Sequence, residues 1–324
     1  MTLTLNDLFA SPDHYLHSYD SGDAVFVPMD RQAYHRSIFL DNRISPADDG
    51  AMRIPVAALA SGISSPAAAS WIFHIAHCGS TLLARALDFP GGNLVLREPL
   101  ALRQTAIAPD QTRLALALSM SAKRYRSDVP TLIKANVPVN FLLPAIAQAS
   151  PASTRAIMLF ATLEDYLLAI LRSDNHREWV SRVTNQLARH LGKVEGLSVP
   201  ERAAALWLAQ MRAFEGALAA FPNARALDAE TFFNDPLPTL ADAARHLEIE
   251  ANPDALREMV SGPLFTSYSK QPSIAFDNNA RLARRDALAE TLAPDIAAAH
   301  AWIERATGGA PAVPAAILDA RLGR

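Results

Sequence analysis

The sequence predicts a three-layer α/β protein in which helices cover both faces of a central parallel sheet. Between residues 71 and 172, four short apolar runs are each followed by a segment of helical period, which is the pattern of βαβ units. Apolar runs of this kind are typical of parallel strands that are buried on both faces. Half of the 324 residues are apolar, so the chain has ample material for a large core.

Composition and charge exclude several classes of protein. The 30 Lys and Arg residues against 33 Asp and Glu residues give a formal net charge of −3, whereas a dedicated nucleic-acid binder usually has a strongly basic domain or stripe. The single cysteine, Cys78, excludes an intrachain disulfide and a cysteine-cluster metal site. The amino terminus lacks a basic segment followed by an apolar one, and no run of about 18 apolar residues occurs. We therefore expect a cytoplasmic protein that binds neither nucleic acid nor a membrane.

Residues 1–57 are predicted to form an amino-terminal extension with short elements. The segment NDLFA is typical of a capped helical turn, and the segments AVFVPM and SIFL are typical of short strands. Residues 58–70 are rich in small side chains and are predicted to be a connection.

An α/β domain is predicted for residues 71–310, with a tail over residues 311–324. Its strand and helix segments are WIFHIA with STLLARALD, NLVL with PLALRQTAI and a second helix near 113–124, TLIKA with VNFLLPAIAQA, and RAIMLFA with EDYLLAILR. A helical insertion over about 175–221 precedes a fifth strand at 224–228, and residues 236–307 are predicted to be helices separated by the polar loop SYSKQPSIAFDNN. An apolar stripe through Trp207 and Met211 of the insertion indicates core packing.

The segment most informative about function is WIFHIAHCGSTLLARAL, which predicts a strand, a tight turn and a helix. Main-chain N–H groups at the start of a helix have no partner within it and can bind phosphate or sulfate oxygens. Gly79 lets the backbone approach an anion closely, and Ser80 and Thr81 add hydroxyl donors. The plainer alternative is that Gly79 only turns the chain and Ser80 only caps the helix.

Spacing argues against three other kinds of loop. A Walker A loop needs Gly at position 74 and Lys at position 80, where this chain has His74 and Ser80. A phosphatase loop of the Cys-x5-Arg type needs Arg at position 84, which is Ala84. His74 and His77 have no HExxH spacing or further ligand cluster beside them, so no metal site is predicted, and His74 is expected to face the core.

The same loop resembles the 5′-phosphosulfate-binding loop of the sulfotransferase family, whose fold is of the P-loop type. Ala76 stands at the proline of that loop and His77 at its Lys or Arg, and residues 78–81 follow in register. Three later segments also resemble family segments in the correct order: LVLREPLALR, TLIKANVPVNFLLPAI and ARALDAETFFNDPLPTLADAARHLEI. The resemblance implies transfer of a sulfuryl group from 3′-phosphoadenosine 5′-phosphosulfate (PAPS) to a hydroxyl or amine of a small-molecule or peptide acceptor, with no metal required.

The resemblance also implies roles for individual residues. His77, when protonated, is the cation at the bridging oxygen, Glu98 is the general base for the acceptor, and Lys134 is a second cation over the transferring group. Because an imidazole titrates at about pH 6.5, turnover is predicted to fall as the pH rises above neutrality. The residues implied to contact the donor are His77, Cys78, Gly79, Ser80, Thr81 and Lys270.

Three of these residues also have plainer interpretations. Glu98 could be a carboxylate at a helix start or the partner of Arg97, and Lys134 could be a plain charge at a strand end. Cys78 at a helix start beside His77 could be an activated thiol, but a small residue that fills the turn is the favoured interpretation.

The chain departs from the family where the 3′-phosphate of the donor is held. Ala161 stands at the Arg position and Ala169 at the Ser position, and the carboxy-terminal Arg-Lys-Gly signature is absent. Residues that could replace the signature are Ser269, Lys270, Arg281, Arg284 and Arg285. Two other functions stay open, namely phosphotransfer from a nucleoside triphosphate and a non-catalytic nucleotide-binding or interaction domain. The predicted partners are thus a nucleotide donor and an unknown acceptor, and a homodimer is left open.

Overall fold

A small antiparallel sheet forms near the amino terminus of the protein, whose computed structural model describes residues 4–323 and, at residues 271 and 272, the backbone alone. The elements of this extension are α1 (Leu5–Ala10), β1 (His14–Asp20), β2 (Asp23–Pro28), α2 (Arg31–Arg36), β3 (Met52–Pro55) and α3 (Val56–Leu59). Strand β2 lies between β1 and β3. Thr4 and Asp7 form a reciprocal capping box at the start of α1, which confirms the predicted capped turn.

The segment SIFL, residues 37–40, is not a strand, whereas the strand predicted at AVFVPM is confirmed as β2. The main-chain groups of this segment bond to Arg97 instead of to a neighbouring strand. The N–H of Leu40 donates to the carbonyl of Arg97 at 2.7 Å, and the carbonyl of Ser37 accepts from the Arg97 guanidinium at 2.7 Å. Phe39 and Leu40 are buried, so the apolar pattern here docks the extension instead of forming a ladder.

Five parallel strands form the central sheet. They are β4 (Ser70–His74), β5 (Val95–Arg97), β6 (Leu132–Lys134), β7 (Arg155–Phe160) and β8 (Asn223–Asp228). Their spatial order is β5-β6-β4-β7-β8, and every neighbouring pair is parallel. All residues of β4, β5 and β6 are buried, as expected when helices cover both faces of a sheet. The predicted three-layer α/β class is therefore confirmed.

Helices occupy the connections of this sheet. They are α4 (Ser80–Ala86), α5 (Leu100–Ile107), α6 (Gln111–Ser121), α7 (Leu143–Ala149), α8 (Leu163–Ile170), α9 (Asp174–Gln186), α10 (Ala188–Leu191), α11 (Val199–Ala220), α12 (Ala229–Asn234), α13 (Pro236–His246) and α14 (Pro253–Ser261). Helices α9, α10 and α11 occupy the segments where the periodicity predicts helices. Trp207, Met211 and Phe214 of α11 are fully buried, so the apolar stripe of this helix is core.

The predicted polar loop SYSKQPSIAFDNN contains a short hairpin. The elements of this region are α15 (Pro263–Thr266), β9 (Ser267–Tyr268), β10 (Gln271–Ala275), α16 (Asn278–Thr291), α17 (Ala293–Thr307) and α18 (Ala315–Asp319). The guanidinium of Arg85 on α4 donates to the carbonyl of Ser269 at 2.7 Å. This bond holds the β9–β10 hairpin beside the helix that follows β4.

One hydrophobic core runs through both parts of the chain. Tyr15 and Phe26 of the amino-terminal sheet belong to the same buried cluster as Phe73 of β4 and Trp207 of α11. Within residues 4–323, no helix combines the length and the apolar character that crossing a lipid bilayer requires.

Candidate functional site

Both the backbone and the space in the turn after β4 favour glycine at its last position. Gly79 has φ +83° and precedes the first residue of α4, Ser80. A Cβ atom on Gly79 would lie 2.7 Å from the Cζ atom of Phe233 on α12, closer than real Cβ contacts. The turn therefore depends on Gly79 both for its left-handed backbone and for the space beside Phe233.

The side chains that follow Gly79 face inward. Ser80 and Thr81 are buried in the first turn of α4. The Oγ1 atom of Thr81 accepts a hydrogen bond from the Nζ atom of Lys134 at 3.4 Å. This bond ties the loop to the end of strand β6.

Glu98 and Lys134 meet because they stand at the carboxyl ends of neighbouring parallel strands. Lys134 ends β6, and Glu98 directly follows β5 with φ +58°. The Glu98 N–H donates to the carbonyl of Lys134 at 2.7 Å, and the two side chains form an ion pair through the Oε1 atom of Glu98. Lys134 is completely buried, whereas 16% of the Glu98 side chain is exposed. Glu98 does not pair with Arg97, which binds Asp88 instead.

The Glu98 carboxylate stays ionised across the physiological range. Burial opposes its ionisation and is the largest single effect, but the basic groups around Glu98 together outweigh burial and lower the pKa of Glu98 to about 2. Lys134 contributes most among them, through its charge and its hydrogen bond, and His74 and Lys270 add to it. A negative charge and a positive charge are thus fixed side by side next to the loop.

Cys78 is a packed thiol. It is 3% exposed, and its Sγ atom donates to the carbonyl of Ile75 at 2.9 Å. Burial raises the pKa of Cys78 to about 11. The interpretation of Cys78 as an activated nucleophile is therefore wrong, because the thiol stays protonated at neutral pH.

His77 is half-buried and holds a left-handed backbone, with φ +62°. Burial, together with the positive charges of Lys270 and Arg172, holds the pKa of His77 well below its usual range. The ring is therefore neutral at pH 7. His77 does not carry the positive charge that its predicted role requires, because the surrounding protein groups disfavour protonation of its ring.

His74 lies in the core, as expected. It is buried at the end of β4, with its ring nitrogens 2.7 and 2.8 Å from the carbonyl oxygens of Ile75 and Ala135. Burial and the charge of Lys134 lower the pKa of His74 to about 3. A neutral ring donates to one of these carbonyls, so His74 holds the strand end and does not act as a ligand.

A cavity of about 480 Å³ opens over the loop, and its charged lining is mainly basic. Residues 76–82 form one wall, and elements from across the chain form the others. The cationic side chains that line it are Arg43, Arg172, Lys270, Arg281, Arg284 and Arg285, against the carboxylates of Asp165 and Glu230. The excess of cations makes the cavity suited to an anion with several charges.

Part of this positive charge is already paired. The Arg281 guanidinium makes two bonds to Glu230, at 2.6 and 2.8 Å, and Arg43 is paired with Asp41. Arg284 donates to the hydroxyl of Tyr268 at 2.5 Å. Within the part of the chain that the structure describes, Arg172, Lys270 and Arg284 have no carboxylate partner, so their charges are free to meet a ligand.

The structure brings together most of the residues that the sequence singled out. Ala161 and Ala169 line the cavity and offer no polar side chain to it. The residues suggested as replacements for the missing signature all line the same cavity: Ser269, Lys270, Arg281, Arg284 and Arg285. Lys270 and Lys134 lie near one aromatic ring, with their Nζ atoms 6.0 and 5.7 Å from the ring centroid of Phe39. Glu98 and Lys134 do not themselves line the cavity, and Lys134 is joined to its lining by the bond to Thr81.

Sequence reasoning missed Arg43, Arg172 and His176, which also line the cavity. Arg43 comes from the amino-terminal extension, Arg172 follows α8 and His176 lies on α9. Of these three residues, only Arg172 could have been found from the sequence, because it ends the segment EDYLLAILR, three residues after Ala169. Among residues 4–323, no three His, Cys, Asp or Glu side chains are grouped so that they could hold a metal ion.

Comparison with known proteins found no matching family model and no matching curated protein. Among solved structures, the chain is similar to one described as a sulfotransferase domain from the curacin biosynthetic pathway. The two are 13% identical with a TM-score of 0.39, and the match covers 71% of this chain and 99% of that one. A likeness of this strength assigns no activity to the chain.

Proposed function

We propose that this chain transfers a sulfuryl group from PAPS to a hydroxyl or amine of an acceptor. The observation that carries the proposal is the buried Lys134, which contacts both Glu98 and Thr81, and Thr81 in turn lines the cation-rich cavity. A cation, a carboxylate and an anion-binding turn are the groups that sulfuryl transfer needs at one place.

The charge of the cavity fits a nucleotide that carries both a phosphosulfate and a second phosphate. Four more cations than carboxylates line it. Residues 77–81 and Lys270 would hold the 5′-phosphosulfate end. Arg172 and Arg284, which have no carboxylate partner among the described residues, lie in the same cavity as Ala161 and Ala169 and would meet the second phosphate.

PAPS, when bound, supplies a sulfuryl group already activated by its anhydride bond to phosphate. Lys134 holds a positive charge where negative charge develops on the leaving phosphate, and Thr81 orients the Lys134 ammonium. An anion near Lys134 competes with Glu98 for that ammonium, so the proton affinity of Glu98 rises when the cavity is filled. Glu98 can then accept the proton of the acceptor hydroxyl or amine.

The first test is calorimetric titration with adenosine 3′,5′-bisphosphate, ADP, and ATP with and without magnesium. We expect micromolar binding of the bisphosphate and a preference over ADP of about tenfold, which is the contribution of one charge-assisted phosphate contact. Replacing Lys134→Ala should weaken binding of the bisphosphate. Replacing Glu98→Gln should leave bisphosphate binding intact but abolish turnover, which is measured as formation of the bisphosphate from PAPS in the presence of a panel of phenols, alcohols and amines. The exposed Glu258 on α14 provides the control Glu258→Gln, which should change neither property.

Other results would overturn the proposal in a defined direction. A preference for ATP with magnesium would favour phosphotransfer on an altered loop. No binding of any of the three nucleotides would favour a non-catalytic interaction domain, and retention of full turnover by Glu98→Gln would remove the proposed base.

A further inference from the structure

A second imidazole faces His77 across the edge of the cavity. His176, on the third position of helix α9, has its ring centroid 4.6 Å from that of His77, with the two ring planes tilted by 51°. The indole of Trp179, one turn later on α9, stands edge-on to His77 at 6.2 Å. Helix α9 thus places the imidazole of His176 beside the loop and packs the indole of Trp179 near the ring of His77.

The surroundings of His176 favour a neutral ring. The hydroxyl of Ser173 lies 2.5 Å from its Nδ1 atom, and the guanidinium of Arg172 lies 3.3 Å from its Nε2 atom. Because a guanidinium can only donate, Nε2 must accept that bond and Nδ1 must carry the proton, which it donates to Ser173. The ring is therefore held in one neutral tautomer.

The charged groups that act on both rings are basic. They are Arg172 after α8 and Lys270 of the β9–β10 hairpin. His74 of β4 also faces His77, but its ring is neutral because its pKa is lowered to about 3. Burial and these groups keep the pKa of both His77 and His176 below the usual value. An oxyanion that entered the cavity would oppose both effects, because its negative charge stabilises an imidazolium and engages Arg172 and Lys270.

We propose that His77 and His176 form a paired imidazole grip for a phosphate or sulfate group, and that the pair takes up a proton from solvent as the anion binds. The inference rests on the proposed function for the identity of the nucleotide, but not for the grip itself. The pair carries a positive charge only when an anion is bound, whereas a lysine or arginine at the same place would be charged at all times. Uptake of one proton makes affinity fall by about tenfold for each unit that the pH rises within the titrating range.

The test is calorimetry of the full chain with adenosine 3′,5′-bisphosphate and with inorganic pyrophosphate, each in PIPES and in Tris at pH 7.5. The difference in binding heat between buffers of unlike ionisation heat gives the protons taken up. We expect about one proton for the wild type and less than half of that for His176→Asn and for His77→Asn. The exposed His300 on α17 provides the control His300→Asn, which should match the wild type.

The pH dependence of the dissociation constant is the second measurement. We expect His176→Asn to weaken binding severalfold at pH 6.5 and to leave it nearly unchanged at pH 8.5, where the wild-type pair has lost its extra proton. Thermal unfolding of each variant shows whether it is folded. Should His176→Asn fail to fold, the buffer and pH dependence of the wild type still decide whether a proton is taken up.

The outcomes separate the grip from the proposed function. Bisphosphate binding without proton uptake, unaffected by His176→Asn, would overturn the grip and leave the proposed donor standing. Binding of pyrophosphate alone, with proton uptake, would support the grip and overturn the proposed donor. Absence of binding by both ligands would overturn both.

Discussion

Glu98 and His77 hold left-handed backbones, with φ of +58° and +62°. Such a conformation costs a residue with a side chain about 1–3 kcal/mol and persists only where the surroundings impose it. At Glu98 the surroundings are visible, because its N–H and its carboxylate both bond to Lys134. One partner therefore fixes both the backbone and the side chain of Glu98, and the ion pair is formed before any ligand arrives.

Replacing Glu98→Gln should destabilise the protein at neutral pH. The change leaves the completely buried ammonium of Lys134 without a carboxylate, and breaking a buried pair in this way costs about 3 kcal/mol or more. The folded pKa of Glu98, about 2, lies below its ordinary value of 4.5. The contribution of the pair to the free energy of unfolding is therefore complete above pH 4.5 and is lost as the pH falls toward 2.

Urea unfolding of the wild type and of Glu98→Gln at pH 7, 4.5 and 3 measures this effect. The difference in the free energy of unfolding should be largest at pH 7 and should shrink between pH 4.5 and 3. The control Glu258→Gln should show a small difference at every pH. A difference for Glu98→Gln that does not vary with pH would mean that the pair does not set the pKa of Glu98.

At the scale of elements, the sequence predicts the central sheet well because its strands are buried on both faces. Continuous apolar runs such as WIFHIA and RAIMLFA can be recognised without knowing which face of the sheet each residue occupies. The bounds of β4 and β7 agree closely with these two runs. The amino-terminal sheet is less predictable. Strand β1 mixes buried residues with polar ones in the run HYLHSYD, and SIFL is apolar because it docks on Arg97 rather than because it pairs with a strand.

The candidate site divides in the same way. The loop and the positions of Glu98 and Lys134 are local features of strand ends, so sequence patterns can find them. The basic lining of the cavity is found only in part, because Lys270 and Arg284 stand near the expected carboxy-terminal signature, whereas Arg43 and Arg172 come from distant parts of the chain. The approach of Arg43 and Arg172 depends on how the extension and the α8–α9 connection pack, which no local pattern records.

Replacing Gly79→Ala tests the turn between β4 and α4. The methyl group would meet the ring of Phe233 and force a left-handed alanine, so we expect a loss of about 2 kcal/mol in the free energy of unfolding. We also expect bisphosphate affinity to fall by tenfold or more, since residues 77–81 form the loop wall of the cavity.

Gly216 provides the matched control. It lies within α11, and a Cβ atom there meets no other atom within 4 Å. The change Gly216→Ala should therefore stabilise the protein by up to about 1 kcal/mol and leave binding unchanged. Equal effects of the two glycine substitutions on urea unfolding would show that the turn has no special need for glycine.

At the scale of the whole molecule, the amino-terminal extension is part of the site because one residue fastens it to the sheet. Arg97 of β5 is 1% exposed and donates to the carbonyl oxygens of Tyr34, His35 and Ser37 while pairing with Asp88. The segment held in this way leads directly to Phe39 and Arg43. The docking of the extension and the shape of the cavity are therefore set by the same bonds.

Replacing Arg97→Met should release this docking. The change leaves the Asp88 carboxylate and the three carbonyl oxygens without their main donor, and we expect the free energy of unfolding to fall by about 3 kcal/mol or more. Limited proteolysis should cut the exposed segment around residues 42–51 faster than in the wild type. Bisphosphate affinity should fall too, because Arg43 loses its fixed place in the cavity.

The exposed pair of Arg53 with Asp20 supplies the control Arg53→Met, whose effect should stay within about 0.5 kcal/mol. If Arg97→Met loosened the extension but left bisphosphate affinity intact, the extension would serve the acceptor side of the reaction or the stability of the fold, and the donor would be held by the α/β part of the chain alone.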